Sequence, residues 1–242
     1  MLGHELTDEV VDVGRDVRRS RRGDRVTVSF VLSCGTCPTC TSGDSTVCDH
    51  REVIGFTLWG AFAEAIFGPR ADFNLVPLPD TLPFDVAAGM GCRVTTAWRA
   101  LTTRGGLRPG EWLAVHCCGG VGLAAILIAQ TLRARVVAVD ISEDTLKLAR
   151  ALCADVVANA RDGDPGEAAR EASGGGARVS LEALGITQTF DVSPQLLRNM
   201  GRHAQVGMPV GTRLASAAAA ETDLFPPVEP FGDTRHFCAR FS

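Results

Sequence analysis

The chain has no long apolar run, no excess of positive charge and no internal repeat. A membrane-spanning helix needs about 18 or more consecutive apolar residues, and the sequence of 242 residues contains no such run. The net charge is −4 and the pI is near 5.7, whereas general nucleic-acid affinity needs a basic surface. We therefore expect no membrane and no nucleic-acid partner, and we interpret the arginines at residues 13–26 as a solvated loop.

A secretory signal is also missing from the pattern of the first residues. Nine cysteines in a chain of this length then fit a reduced compartment with metal sites better than a disulfide scaffold. A cytoplasmic location is the resulting expectation. With 45% apolar and 21% charged residues, the composition is that of a globular protein with enough length for two modest domains.

Four of the cysteines lie within the segment CGTCPTCTSGDSTVC. They are Cys34, Cys37, Cys40 and Cys48. Spacing of this kind lets a tight turn direct three thiolates to one point, and the longer return brings the fourth to close a tetrahedron suited to Zn²⁺. Two disulfides or free core thiols are the alternatives, but such short separations rarely satisfy disulfide geometry. We predict a structural zinc site whose four protein ligands leave no position for a substrate.

Short β-like runs separated by glycines extend from Val10 to Ala71 and predict a small, mostly β domain. The runs are EVVDV, DRVTVSFVL and WGAFAEAIFG. The proline-rich segment VPLPDTLPFD is interpreted as a linker, and the apolar spacing beyond it predicts a helix over Asp85–Leu101.

Strand-like and helical segments alternate in the second half of the chain. Glu111–Asp140 reads as strand, tight turn, helix and strand, which is a βαβ unit. A helix capped by Ser142, the strand DVVANA, and the strands RVSLEALG and GRHAQVGM around a helix containing Pro194–Met200 follow. We predict an α/β fold class in which a doubly wound parallel sheet follows the mostly β part. The predicted domain limits are 1–84, 85–211 and an irregular tail at 212–242.

The turn GGVG has the properties of a dinucleotide-binding turn. Its residues are Gly119, Gly120, Val121 and Gly122. Glycines there allow backbone N–H groups to approach a pyrophosphate at the helix N-terminus. Asp140 ends the next strand, where a carboxylate accepts hydrogen bonds from ribose hydroxyls and favours NAD over NADP. The first glycine of the usual GxGxxG pattern is replaced by Cys117, whose side chain we expect to crowd the turn.

Taken in order, five motifs resemble those of the zinc-dependent alcohol dehydrogenases of the medium-chain dehydrogenase/reductase superfamily. They are GHE at residues 3–5, the cysteine quartet, GCRVTTAWRAL at 91–101, GGVG at 119–122 and VVAVD at 136–140. The resemblance implies a GroES-like β domain followed by a Rossmann domain. It also implies that NAD is the cofactor, that an alcohol, aldehyde or ketone is the substrate, and that a homo-oligomer is compatible with the family.

A catalytic zinc is a further implication of the resemblance. His4 matches the family's histidine ligand, Cys92 matches its cysteine ligand, and Glu5 matches the adjacent acid. An open position on such a zinc lowers the pKa of an alcohol and so favours expulsion of hydride. Without the motif order, His4 would be interpreted as a surface residue and Cys92 as a core residue.

The resemblance also predicts that the chain is truncated at both ends. Family members have an earlier segment with another cysteine ligand and a proton-relaying hydroxyl, and they continue beyond the last Rossmann strands. A catalytically impaired, zinc-binding remnant of such an enzyme is therefore the alternative prediction. A zinc-ribbon nucleic-acid module and a zinc-free quinone reductase fit the acidic charge and the cysteine quartet less well.

We expect about one tightly held zinc ion per isolated chain, because the quartet is local and complete whereas the catalytic set lacks a ligand. Metal analysis of the purified protein measures the stoichiometry. Two tightly held zinc ions per chain would contradict this expectation.

Overall fold

The computed structural model describes residues 2–208, which divide into two compact units, one running to Thr95 and the other beginning at Thr96. The predicted tail at 212–242 lies outside the described residues, and the domain limits 1–84 and 85–211 stay predictions. Among residues 2–208, no helix is long and apolar enough to cross a membrane.

The first unit is built from short strands. Its three-stranded antiparallel sheet has the order β1 (Thr7–Glu9), β2 (Arg25–Val28) and β5 (Leu75–Pro77). A second pair joins β3 (Val31–Leu32) to β4 (Glu52–Val53). Its short helices include α1 (Pro38–Thr41) and α2 (Ala71–Asn74). The core side chains include Val28, Leu32, Ile54 and Ile66.

Three expectations for this unit are wrong in detail. The first strand, β1, ends at Glu9, where the predicted run EVVDV begins. Its residues pair with β2, with Thr7 opposite Thr27. WGAFAEAIFG forms no strand; the N–H groups of Ala61 and Phe62 donate to the carbonyls of Gly3 and Leu2 instead of to a ladder. The first residues of the predicted linker belong to β5.

The helical segment predicted over Asp85–Leu101 is present but irregular. It consists of α3 (Phe84–Ala88) and α4 (Thr95–Arg99), each followed by a turn of π-helix, at Met90–Val94 and Ala100–Arg104. The hydroxyl of Thr95 donates to the carbonyls of Gly91 and Cys92, both at 3.1 Å. Hydroxyls that bond back into the preceding turn distort helical hydrogen bonding in this way.

A five-stranded parallel sheet forms the second unit, and this confirms the predicted fold class. Its order is β10 (Leu197–Gln205), β9 (Ala177–Glu182), β6 (Trp112–His116), β7 (Arg135–Asp140) and β8 (Val156–Asn159). The helices are α5 (Gly120–Thr131), α6 (Glu143–Ala151), α7 (Pro165–Ser173) and α8 (Thr187–Val192). The strand order reverses between β6 and β9, and ligands of open α/β sheets bind at the carboxyl ends of strands at such a point.

The helix predicted to contain Pro194–Met200 is only partly present. A 3₁₀ turn covers Ser193–Leu196, after which the chain becomes β10 at Leu197. Met200 has a positive φ of 62°, and the register against β9 shifts between Leu197 and Arg202. The bulge allows residues of helix-like composition to join the edge of the sheet.

Two histidines of the parallel sheet lie in a low-dielectric environment. Burial lowers the pKa of both His116 and His203, although the nearby charge of Glu182 acts in the opposite direction. Burial favours the neutral imidazole because the charged form loses its hydration. Both side chains are therefore neutral near neutral pH.

We expect the stability of the protein to decrease as the pH falls below about 6.5. The unfolded chain binds protons on these histidines near their ordinary pKa, before the folded chain does, so their contribution is present above that pH and lost below it. Thermal unfolding at about pH 7.5 and about pH 5.5 measures the loss. It should be smaller in His203→Gln, whereas the exposed His50→Gln control should lose as much as the wild type.

Candidate functional site

The four predicted cysteine ligands converge on one point. Their sulfur atoms all lie within 4.8 Å of one another. The Sγ atoms of Cys34 and Cys40 are 3.9 Å apart, and those of Cys37 and Cys48 are 3.8 Å apart. A zinc ion with Zn–S bonds of about 2.3 Å requires tetrahedral sulfurs about 3.8 Å apart. The donor set and its geometry therefore fit Zn²⁺.

Backbone amides around the loop point at these sulfurs. Cys34 Sγ accepts from the N–H groups of Thr36 at 3.4 Å and Cys37 at 3.2 Å. Cys48 Sγ accepts from those of Cys34 and His50, both at 3.3 Å. Such donors stabilise the thiolate form that a metal requires.

The pKa values of two thiols in this group move in opposite directions. Hydrogen bonds from the amides of Thr36 and Cys37 lower the pKa of Cys34 to about 5. Burial raises the pKa of Cys40 to about 12, and the neighbouring thiols act in the same direction. Several thiolates in one place repel one another, so all four ionise together only when a cation compensates their charge.

The local sequence explains why the loop adopts this shape. Pro38 begins α1, where proline is favoured because no N–H is needed. Ser33 fixes the entry to the loop, since its N–H donates to Asn74 Oδ1 at 2.8 Å and its hydroxyl donates to the carbonyl of Ser45 at 2.6 Å. The loop is thus held from both sides before any metal binds.

The predicted catalytic residues do not form a comparable group. Within residues 2–208, the cysteine quartet is the one set of three or more His, Cys, Asp or Glu ligand atoms close enough to share an ion. His4 packs its ring near Phe30 and Phe56, with centroids 5.6 and 5.8 Å away. The ligand atoms of His4, Glu5 and Cys92 are therefore not gathered around one point in this arrangement, and their role as ligands of a catalytic zinc stays a prediction.

Glu5 is engaged by an arginine next to Cys92 in the sequence. Arg93 Nη2 donates to Glu5 Oε2 at 2.6 Å, and Nε donates to both carboxylate oxygens at 3.0 and 3.1 Å. The hydrogen bond and the charge of Glu5 raise the pKa of Arg93. This bidentate pair connects the GHE segment to the GCR segment within the first unit.

The glycine turn stands between β6 and α5, as predicted. The N–H groups of Gly120, Val121 and Gly122 begin α5 and have no partner within the helix, so the turn offers donors to an anion. A side chain at Gly122 would collide with the carbonyl oxygen of Cys117, whereas Gly119 has open space around it. Gly122 therefore permits the close approach of helix to strand.

Cys117 adopts a backbone conformation that is usually taken by glycine. Its φ is +74°, in the left-handed region where a non-glycine residue costs about 1–3 kcal/mol. Burial raises the pKa of the Cys117 thiol to about 12. The thiol is therefore protonated at neutral pH and adds bulk, but no negative charge, beside the turn.

Asp140 connects the turn to the end of β7. Its Oδ2 accepts from the N–H of Cys118 at 2.8 Å, and its Oδ1 accepts from the N–H groups of Ile141 at 2.8 Å and Ser142 at 3.0 Å. A cavity of about 800 Å³, open to solvent, begins at the next residue, Ile141, and its lining includes Ser142, Asn159 and Arg161. The carboxylate and this polar cavity lie where the βαβ unit would place a ribose.

A polar row that the sequence did not predict lies at the carboxyl ends of three neighbouring strands. His116, Glu182 and Gln205 share one register on β6, β9 and β10, and all three are buried. His116 Nδ1 is buried without a hydrogen-bond partner among the described residues. The sequence signal for this row was Glu182 at the end of the apolar segment VSLE. A charged side chain needs hydrogen-bond partners when it is buried.

Known proteins resemble this arrangement over most of the chain. The family of alcohol dehydrogenase GroES-like domains matches residues 1–80, and the family of zinc-binding dehydrogenases matches residues 120–224. An alcohol dehydrogenase of Geobacillus stearothermophilus is 34% identical over 208 residues, which are 86% of this chain and 60% of the relative. One of Schizosaccharomyces pombe is 31% identical over 217 residues, which are 88% of this chain and 61% of the relative.

Solved structures agree with these relatives. Alcohol dehydrogenase TADH from Thermus sp. ATN1 superposes with a TM-score of 0.84 at 33% identity, covering 92% of this chain and 66% of the other. A structure described as an NAD-dependent alcohol dehydrogenase gives a TM-score of 0.79 at 33% identity, covering 90% of this chain and 64% of the other.

The GroES-like match lies within the first unit and the zinc-binding dehydrogenase match lies mostly within the described part of the second unit. In both parts the chain is similar to the zinc-dependent alcohol dehydrogenases of the medium-chain dehydrogenase/reductase superfamily. It spans about 60% of the length of the curated relatives that it matches.

We expect Cys117→Gly to bind NADH about tenfold more tightly or better, because it removes both the side chain and the strained φ at the turn. Fluorescence titration with NADH measures the change. Cys153→Gly is the matched control, since Cys153 has a similar φ of 69° but lies outside the turn. Equal affinity of Cys117→Gly and the wild type would refute crowding by the thiol.

Proposed function

We propose that this chain acts in NAD-dependent hydride transfer between an alcohol and the matching aldehyde or ketone, as a zinc-containing alcohol dehydrogenase. The observation that carries the proposal is the βαβ turn, in which free helix N–H groups face the edge of the sheet and Asp140 follows at the end of β7. The match to the zinc-binding dehydrogenase family and the similarity to a structure described as an NAD-dependent alcohol dehydrogenase support the same function.

The cysteine quartet would hold a structural Zn²⁺. Because all four positions of a tetrahedral ion are taken by protein sulfur, this metal would stabilise the loop at residues 34–48 and take no part in the reaction. A catalytic zinc, where one is bound, supplies Lewis-acid polarisation of the substrate oxygen. His4 and Cys92 are the ligands that we propose from this chain.

The roles of the remaining residues follow from their contacts. The N–H groups of Gly120, Val121 and Gly122 would bind the pyrophosphate, and Gly119 would leave space for it. Asp140 would accept hydrogen bonds from the adenosine ribose. Arg93 would hold the Glu5 carboxylate in place beside His4. The proposed partner is a small alcohol or carbonyl compound, and the proposed compartment is the cytoplasm.

Formation of NADH across a panel of primary and secondary alcohols tests the proposed reaction, with zinc content measured on the same sample. We expect turnover with NAD⁺, and no turnover when the nucleotide is omitted. A folded protein that binds NADH but oxidises no alcohol would favour the catalytically impaired form.

Asp140→Ser should reduce the preference for NADH over NADPH by about tenfold or more, because the carboxylate both accepts from the ribose hydroxyls and repels a 2′-phosphate. Binding constants for the two nucleotides give the ratio. Asp144→Ser is the control, since Asp144 is exposed and paired with Lys147 at 2.9 Å. A ratio unchanged by Asp140→Ser would contradict the assigned role.

A further inference from the structure

Glu182 is a buried carboxylate at the point where the strand order of the parallel sheet reverses. It ends β9 and is 0% exposed. Its register partners are His116 on β6 and Gln205 on β10. A buried carboxylate is costly unless hydrogen bonds replace its hydration, so its partners show what it does.

Both oxygens of Glu182 are surrounded by donors. Oε1 accepts from the N–H groups of Leu184 at 2.8 Å and Gly185 at 2.9 Å, and from the hydroxyl of Thr189 at 2.7 Å. Oε2 accepts from the N–H of Gly185 at 3.1 Å and from Gln205 Nε2. Backbone and amide N–H groups only donate, which matches a carboxylate that only accepts.

The backbone of Glu182 holds a second loop. Its carbonyl oxygen accepts from the N–H of Val206 at 2.9 Å and from that of Gly207 at 3.0 Å. A side chain at Gly207 would collide with the N–H of Gly185, and Gly185 itself has a φ of +87°. The loops that follow β9 and β10 therefore contact each other backbone to backbone, and one residue is bonded to both.

The orientation of Gln205 is fixed by its surroundings. Its Nε2 donates to Glu182 Oε2 and to the carbonyl of Gly207, so its Oε1 is left to accept from His203 Nε2 at 3.0 Å. His203 Nδ1 then accepts from the hydroxyl of Ser180, 2.8 Å away. This directed chain leaves Gln205 one orientation and supports the carboxylate from the side of β10.

We propose that Glu182 is a positioning residue for the dinucleotide site. Its side-chain carboxylate holds the amides of Leu184 and Gly185, and its carbonyl holds those of Val206 and Gly207, at the carboxyl ends of β9 and β10. These loops leave the sheet beside the switch point, where a nucleotide of an open α/β fold is bound. The inference depends on the proposed function, because it assumes that the ligand at this edge is NAD(H).

Glu182→Gln tests the proposal with nearly unchanged volume. In this variant the side-chain amide nitrogen must face either the N–H groups of Leu184 and Gly185 or the Nε2 of Gln205. All of these groups are donors, so one donor is left facing another. We expect NADH to bind about tenfold more weakly. The double variant Glu182→Gln with Gln205→Glu places an acceptor opposite that amide, and should recover part of the affinity.

Thr189→Val covers the case in which Glu182→Gln does not fold. It removes the α8 hydroxyl that donates to Glu182 Oε1. We expect it to weaken NADH binding about threefold. Thr187→Val is its matched control on the same helix, since Thr187 is exposed and the hydroxyl that donates to Glu182 is that of Thr189. Circular dichroism and hydrogen exchange at the amides of Leu184 and Gly185 show whether each variant is folded and whether the loop has loosened.

Weaker NADH binding by folded Glu182→Gln or Thr189→Val, with faster exchange at Leu184 and Gly185 and recovery in the double variant, supports the proposal. Wild-type affinity in a folded variant whose loop amides exchange faster would overturn it, because the loop would then have no effect on the nucleotide. Failure of the wild type to bind NADH would instead refute the proposed function, and with it this role for Glu182.

Discussion

The close contact between α5 and the end of β6 is the constraint on which the nucleotide-binding unit depends. Gly122 has to be a glycine because the carbonyl of Cys117 occupies the space of a side chain. This contact brings the first N–H groups of α5 to the edge of the sheet, beside the point where the strand order reverses. Helix dipole, free donors and sheet topology then act at one location.

Cys117 shows how strongly the backbone is determined by that contact. The residue keeps a φ of +74° although it has a side chain. The surrounding strands and helix determine the turn, so the substitution is accommodated as local strain and not as a different turn. A neutral thiol is tolerated there more easily than an ionised one would be, because a negative charge would oppose a pyrophosphate.

The two candidate metal sites differ because they depend on different distances in the sequence. The cysteine quartet lies within residues 34–48, and amide donors and Pro38 hold it locally. His4 and Glu5 are adjacent, but most of the first unit separates them from Cys92 in the sequence, and Glu5 is already bonded to Arg93. A closed tetrahedral site formed by one loop needs little support from the remaining fold, whereas a catalytic site needs ligands from several elements.

Short-range spacing and periodicity encode the βαβ unit, the cysteine loop, the turn at residues 119–122 and the acid at Asp140, so each could be predicted from local sequence alone. Other features depend on how distant segments pair. Strand register places Glu182 between His116 and Gln205. Leu197–Met200, predicted as helix, joins β10 next to a bulge. Residues 59–68, predicted as a strand, instead form hydrogen bonds with the Leu2–Gly3 segment. These features depend on contacts between residues far apart in the chain, which local sequence patterns do not specify.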